Sequence, residues 1–116
     1  MIFSPTLLDH FEHPRNAGAM VDADAEAALE NPVCGDRLRV WLRIRDGTIE
    51  EMRWQATGCA PAIAAASVLS ELVRGLSVSD AQALDRDAIA DALGGLPARK
   101  AHAAALAAAA LRSALR

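Results

Sequence analysis

The residues from Arg37 to Thr57 constrain the fold of this chain more than any other stretch. Leu38, Val40, Leu42 and Ile44 alternate with Arg37, Arg39, Trp41, Arg43 and Arg45, the period-two pattern of a strand with one buried and one wet face. Asp46-Gly47 follows, a dipeptide suited to a two-residue hairpin turn because both positions accept a positive φ, and a second β-like run extends from Thr48 to Thr57. Simple pairing about that turn sets Leu42 against Glu51 and Val40 against Arg53, which mixes the faces. One extra residue near Glu50-Glu51 restores Leu42 to Met52, Val40 to Trp54 and Leu38 to Ala56, so the sequence predicts a β-bulge there.

Helical signals surround the hairpin. Ser4-Pro5 supplies an N-cap and a first-turn proline for a short amphipathic helix that stops at His13-Pro14. Residues 15 to 33, with Asn16, Gly18 and Asn31-Pro32, read as a loop with room for one short strand. Pro61 opens a helix whose stripe is Ile63, Ala66, Val68, Leu69 and Leu72, with Gly75 placed to end it. Ser77-Val-Ser-Asp80 resembles a capping box for a short helix through Leu84, Asp87 is expected to cap another, and the alanine-rich stretch from about Arg99 to Leu115 forms a last helix after Leu96-Pro97. The sum is an α+β class: a small antiparallel sheet of about three strands, covered by helices on one side.

A chain of 116 residues suits one domain, residues 1–116, with one core. Only Phe3, Phe11, Trp41 and Trp54 are aromatic, so the core must be built from small aliphatics. A formal charge of −3 with acids and bases interspersed offers no broad cationic surface, which argues against nucleic acid as a partner. The longest apolar run, Ala103 to Leu111, is far below the roughly 20 residues that span a bilayer. The opening residues carry neither a basic leader nor a long apolar stretch, and the expectation is a cytoplasmic protein without a membrane segment.

In that setting Cys34 and Cys59 read as thiols or metal ligands rather than a structural disulfide. Cys34 lies as far ahead of Asp46 as Cys59 lies beyond Gly47, so closing the hairpin brings both sulfurs to one end of the sheet. Asp36 shares a side with Cys34 if the segment is extended, and Gly35 between them permits a sharp turn. Cys59 precedes the Pro61 helix, where free amides and the helix dipole favour a thiolate, so it is expected to be the more acidic cysteine and the one able to accept a persulfide sulfur. Among His10, His13 and His102, the last is selected because Pro97 lets the final helix start afresh and aim a first-turn ligand at the sheet end. Two sulfurs, a carboxylate and an imidazole make a donor set for zinc or for iron in a sulfide cluster. Taken singly, each has a plainer explanation: a cysteine as a small core residue, Asp36 as a turn residue, His102 as a surface histidine.

These residues sit in motifs that resemble a known family. Asn31-Pro-Val-Cys-Gly-Asp36 is similar to the Cys-Gly-Asp signature of the IscU, SufU and NifU N-terminal iron-sulfur scaffolds, and Gly58-Cys59 to their second cysteine motif. His13-Pro-Arg-Asn-Ala-Gly18, Gly75 with Ser77, and Leu96-Pro97 with Lys100 and His102 fall in the order of the family's remaining motifs. The resemblance implies a SufE/NifU-like fold, a transient [2Fe-2S] cluster or zinc held by Cys34, Asp36, Cys59 and His102, sulfur from a cysteine desulfurase, and delivery to apo iron-sulfur proteins, a scaffold rather than an enzyme. Leu96-Pro-Ala-Arg-Lys100 keeps three of five positions of the family's Hsp70-type chaperone motif. The chain departs from the family at Ala103, where a third cysteine belongs. That loss opens an alternative: a degenerate scaffold that regulates a desulfurase or chaperone without passing on a cluster.

Overall fold

The structure is a computed structural model that describes residues 3–116. Strands β1 (Ala25–Glu30), β2 (Arg37–Arg45) and β3 (Thr48–Thr57) form one antiparallel sheet in the order β1-β2-β3. The hairpin follows the sequence pattern. Leu42 faces Met52, Val40 faces Trp54, Leu38 faces Ala56, and the register shifts beyond Arg43, where Glu51 pairs with Arg43 and Ile49 with Ile44, leaving Glu50 as the extra residue. Asp46 at φ 52° and Gly47 at φ 73° make the turn, both in the left-handed region that matches the twist of the strands they join.

Helices α1 (Pro5–Glu12), α2 (Ala60–Leu72), α3 (Val78–Gln82), α4 (Arg86–Ala92) and α5 (Ala101–Ala114) complete the fold. Ser4 caps α1 by accepting the Leu7 amide, and Ser77 caps α3 by accepting that of Asp80. Asp85, rather than the expected Asp87, caps α4: its carboxylate accepts the Ala88 amide, and Asp87 stands in the first turn, where a negative charge still suits the dipole. The last helix is preceded by a 3₁₀ turn at Ala98–Lys100, so α5 itself begins at Ala101. The loop expected over residues 15 to 33 gives up Ala25–Glu30 to the edge strand β1, whose Ala25, Ala27 and Leu29 pack against the core.

Helix α2 lies on β3, and α5 lies on β1 and β2. Leu38, Val40, Leu42, Met52 and Trp54 from the sheet meet Ala65, Leu69, Ala104, Ala107, Ala108 and Leu111 from these helices in one contiguous core. Alanine on the sheet-facing side of α5 places the backbone close to the strands, which is how a chain poor in aromatics fills its interior. Trp41, on the arginine side of β2, is nonetheless buried, with the Arg39 guanidinium 4.8 Å from its ring centroid. The segment after α1 closes the outer edge of β3. Trp54 Nε1 donates to the Arg15 carbonyl at 2.7 Å, the Gly18 amide donates to Trp54 O at 2.8 Å, and the Arg15 amide donates to Ser67 Oγ at 2.9 Å.

Candidate metal centre

The two loops that leave the same end of the β2/β3 ladder carry the candidate donors. The last rung pairs Arg37 with Thr57, so Asp36 and Gly58 each stand one residue beyond it. The Asn31–Asp36 turn is built by Asn31. Its side chain accepts the Val33 amide at 2.9 Å, its carbonyl accepts the Gly35 amide at 2.8 Å, and its own amide donates to the Asp36 carbonyl at 2.8 Å. Gly35 at φ 79° makes the reversal between the two candidate donors flanking it. Cys34 is exposed beside Val33, which is 94% exposed, whereas Asp36 is 6% exposed.

Asp36 is the hub. Its Oδ2 accepts the Cys59 thiol at 3.5 Å and lies 3.7 Å from His102 Nε2. Cys34, Asp36 and His102 each offer a donor atom within 4.8 Å of the other two, a spacing on the scale of a shared ion's coordination sphere. Cys59 stands outside that trio and touches it through Asp36. His102 reaches the group from the first turn of α5 and keeps a partly exposed ring. His10 belongs elsewhere: it is buried, with Nδ1 2.7 Å from Ser67 Oγ and Nε2 3.5 Å from Glu71.

The expectation of an acidic Cys59 is corrected. Cys59 is the N-cap of α2, but burial pushes its thiol up, the neighbouring Asp36 carboxylate adds to the rise, and the Ala62 amide and Lys100 charge only partly offset them. The sulfur in the local position for a thiolate is thus the half-buried one whose thiol burial pushes up, and Cys34 is the sulfur open to solvent. Ala103, at the position of the missing cysteine, is packed in the core at 1% exposure.

One contributor was not singled out from the sequence as a shaping residue. A side chain at Gly58 would meet Asp36, with a Cβ 2.6 Å from Oδ1 and 2.7 Å from Cγ. Only the folded hairpin brings positions 36 and 58 face to face, and nothing local to either residue announces it.

As a donor set, two sulfurs, a carboxylate and an imidazole suit zinc or iron rather than magnesium or calcium, which prefer all-oxygen sites. Comparison with known proteins points the same way. Residues 2–116 match the family described as NifU-like N terminal domain. The chain is 44% identical over 114 residues to the iron-sulfur cluster assembly scaffold protein IscU 1 of Archaeoglobus fulgidus, covering 98% of this chain and 74% of that protein. It is 36% identical over 119 residues to the IscU scaffold of Escherichia coli K12, covering 99% and 92%. In fold it resembles the crystal structure of the NifU-like N-terminal protein from Brucella abortus, with a TM-score of 0.82 at 22% identity over 97% of this chain and 91% of that one.

Proposed function

Because the chain belongs to the NifU-like N-terminal domain family, we propose that it is an iron-sulfur cluster assembly scaffold whose cargo site is Cys34, Asp36, Cys59 and His102. The observation that carries this reading is the convergence of the Cys34, Asp36 and His102 donor atoms within 4.8 Å, with Cys59 on the same carboxylate. The cargo is a [2Fe-2S] cluster, with zinc taken up by the same donors in the absence of iron and sulfide. A cysteine desulfurase supplies the sulfur and apo iron-sulfur proteins receive the cluster. Sulfur enters at Cys34, the exposed thiol: a donor persulfide's outer sulfur is attacked by the Cys34 thiolate, one S–S bond forms as another breaks, and the donor leaves as its own thiolate. The Leu96–Lys100 stretch leading into α5 is the region for an Hsp70-type chaperone.

Loss of the third cysteine does not empty the donor set, because a carboxylate and an imidazole stand beside the two sulfurs. The test is anaerobic reconstitution with iron, cysteine, a desulfurase and a thiol reductant that takes the delivered persulfide sulfur to sulfide, followed by visible absorption and iron analysis. Wild-type protein is expected to gain a cluster band and bound iron. Cys34→Ser is expected to lose both and to show no sulfur adduct by intact mass after desulfurase treatment. A wild type that takes up no iron, or cysteine variants that bind partners and act in cells like the wild type, would instead establish a regulatory module without cargo.

A further inference from the structure

Gly58 is a glycine for a reason its backbone does not supply. Its φ lies outside the left-handed region occupied by Gly18, Gly35, Gly47, Gly75, Gly94 and Gly95, so the chain path at 58 makes no demand that alanine could not meet there. What excludes a side chain is Asp36. The three heavy atoms nearest to a Cβ at 58 would all be Asp36's: Oδ1 at 2.6 Å, Cγ at 2.7 Å and Cβ at 3.2 Å.

Asp36 has little freedom to move aside. It is 6% exposed, its carbonyl is tied to the Asn31 amide at 2.8 Å, and its other oxygen faces Cys59 Sγ at 3.5 Å and His102 Nε2 at 3.7 Å. Oδ1 thus packs over residue 58 while Oδ2 serves the donors. A methyl group at 58 would force the carboxylate to rotate or withdraw, and either motion takes Oδ2 off the sulfur and the imidazole together.

We propose that Gly58 is a positioning residue: the empty volume above its Cα turns one oxygen of Asp36 toward Cys59 and His102 and so sets the affinity of the site for its metal cargo. This inference rests on the cargo-site reading above. Its test is a double-mutant cycle of Gly58→Ala and Asp36→Ala, read by zinc titration against a chelating competitor and by thermal unfolding of the metal-free proteins. Removal of a group that orients a metal ligand typically costs about 10- to 100-fold in affinity, and Gly58→Ala is expected to fall in that range. In the Asp36→Ala background, which removes the 2.6 and 2.7 Å contacts and leaves the 3.2 Å Cβ contact, Gly58→Ala is expected to cost far less in zinc affinity and melting temperature than it does in the wild type.

Equal losses from Gly58→Ala in both backgrounds would mean that residue 58 acts through the backbone, and wild-type zinc affinity in Gly58→Ala would mean that Asp36 needs no such space. Either result overturns the proposal. If Asp36→Ala binds no measurable zinc, the melting-temperature cycle decides alone. A wild-type protein that binds neither zinc nor iron would sink the cargo site itself, an outcome separate from both.

Discussion

His10 shows how burial of one titratable side chain ties stability to pH. Its Nδ1 meets Ser67 Oγ at 2.7 Å and its Nε2 lies 3.5 Å from Glu71. Desolvation lowers its pKa below the ordinary histidine value, the Arg15 charge adds to the fall, and Glu71 and Asp9 oppose it. Well above about pH 6.5, the ordinary histidine value, the imidazole is neutral in both folded and unfolded chains and contributes no pH dependence. As pH drops below that value the unfolded chain takes up a proton that the folded one resists, so stability falls with falling pH. Urea midpoints between about pH 7.5 and 5.5 are expected to show this loss, and His10→Asn, which keeps an acceptor near Ser67, to flatten it. An unchanged slope in the variant would assign the effect to other groups. The same scale marks the limit of the sequence. Cys59 reads as an activated thiol from its place before a helix, because that argument is local, whereas the burial and the carboxylate that reverse it come from a segment more distant in the chain.

The hairpin is the element most fully legible in advance, since its turn, register and bulge are all written in the alternation of residues 38 to 56. Its turn rests on conformation alone. A Cβ at Gly47 would meet nothing within 4 Å, yet φ there is +73°. Gly47→Ala is therefore expected to cost about 1 kcal/mol or slightly more through backbone strain, visible as a lower urea midpoint with an unchanged denaturant slope. Strand β1 was harder to foresee. Ala25–Glu30 holds only alanine, glutamate and one leucine, mostly residues of low strand propensity, and it is strand because Glu26 and Glu30 meet Arg39 and Arg37 across the ladder at 3.0 Å while Ala25, Ala27 and Leu29 lie against the core. Asp85 and Asp87 pose a similar ambiguity: both can cap, and the path out of α3 decides which one does.

At the scale of the molecule, one core holds two helices on one sheet face, and the Cα radius of gyration of 12.9 Å is close to the roughly 13 Å of a compact chain of this length. Among the described residues, no helix is long and apolar enough to cross a membrane. The proposed donors come from three separate segments, the β1–β2 loop, the turn after β3 and the start of α5, so on that reading cargo binding and folding are linked. Zinc at about 100 times its dissociation constant is expected to stabilise the chain by about 2.7 kcal/mol, which raises the melting temperature by on the order of 10 °C. Differential scanning with and without zinc should show the rise in the wild type and none in Cys34→Ala/Cys59→Ala; a rise that survives in the double variant would place the zinc elsewhere.

The proposed donors Asp36 and Cys59 stand beyond the Arg37–Thr57 rung, at the open end of the β2/β3 ladder. Strand ends fray first, at far lower free energy than the core, so opening this terminus parts Asp36 from Cys59 while the helices stay docked. On the cargo-site reading proposed above, an ion held by both residues would act as a staple across that fraying end.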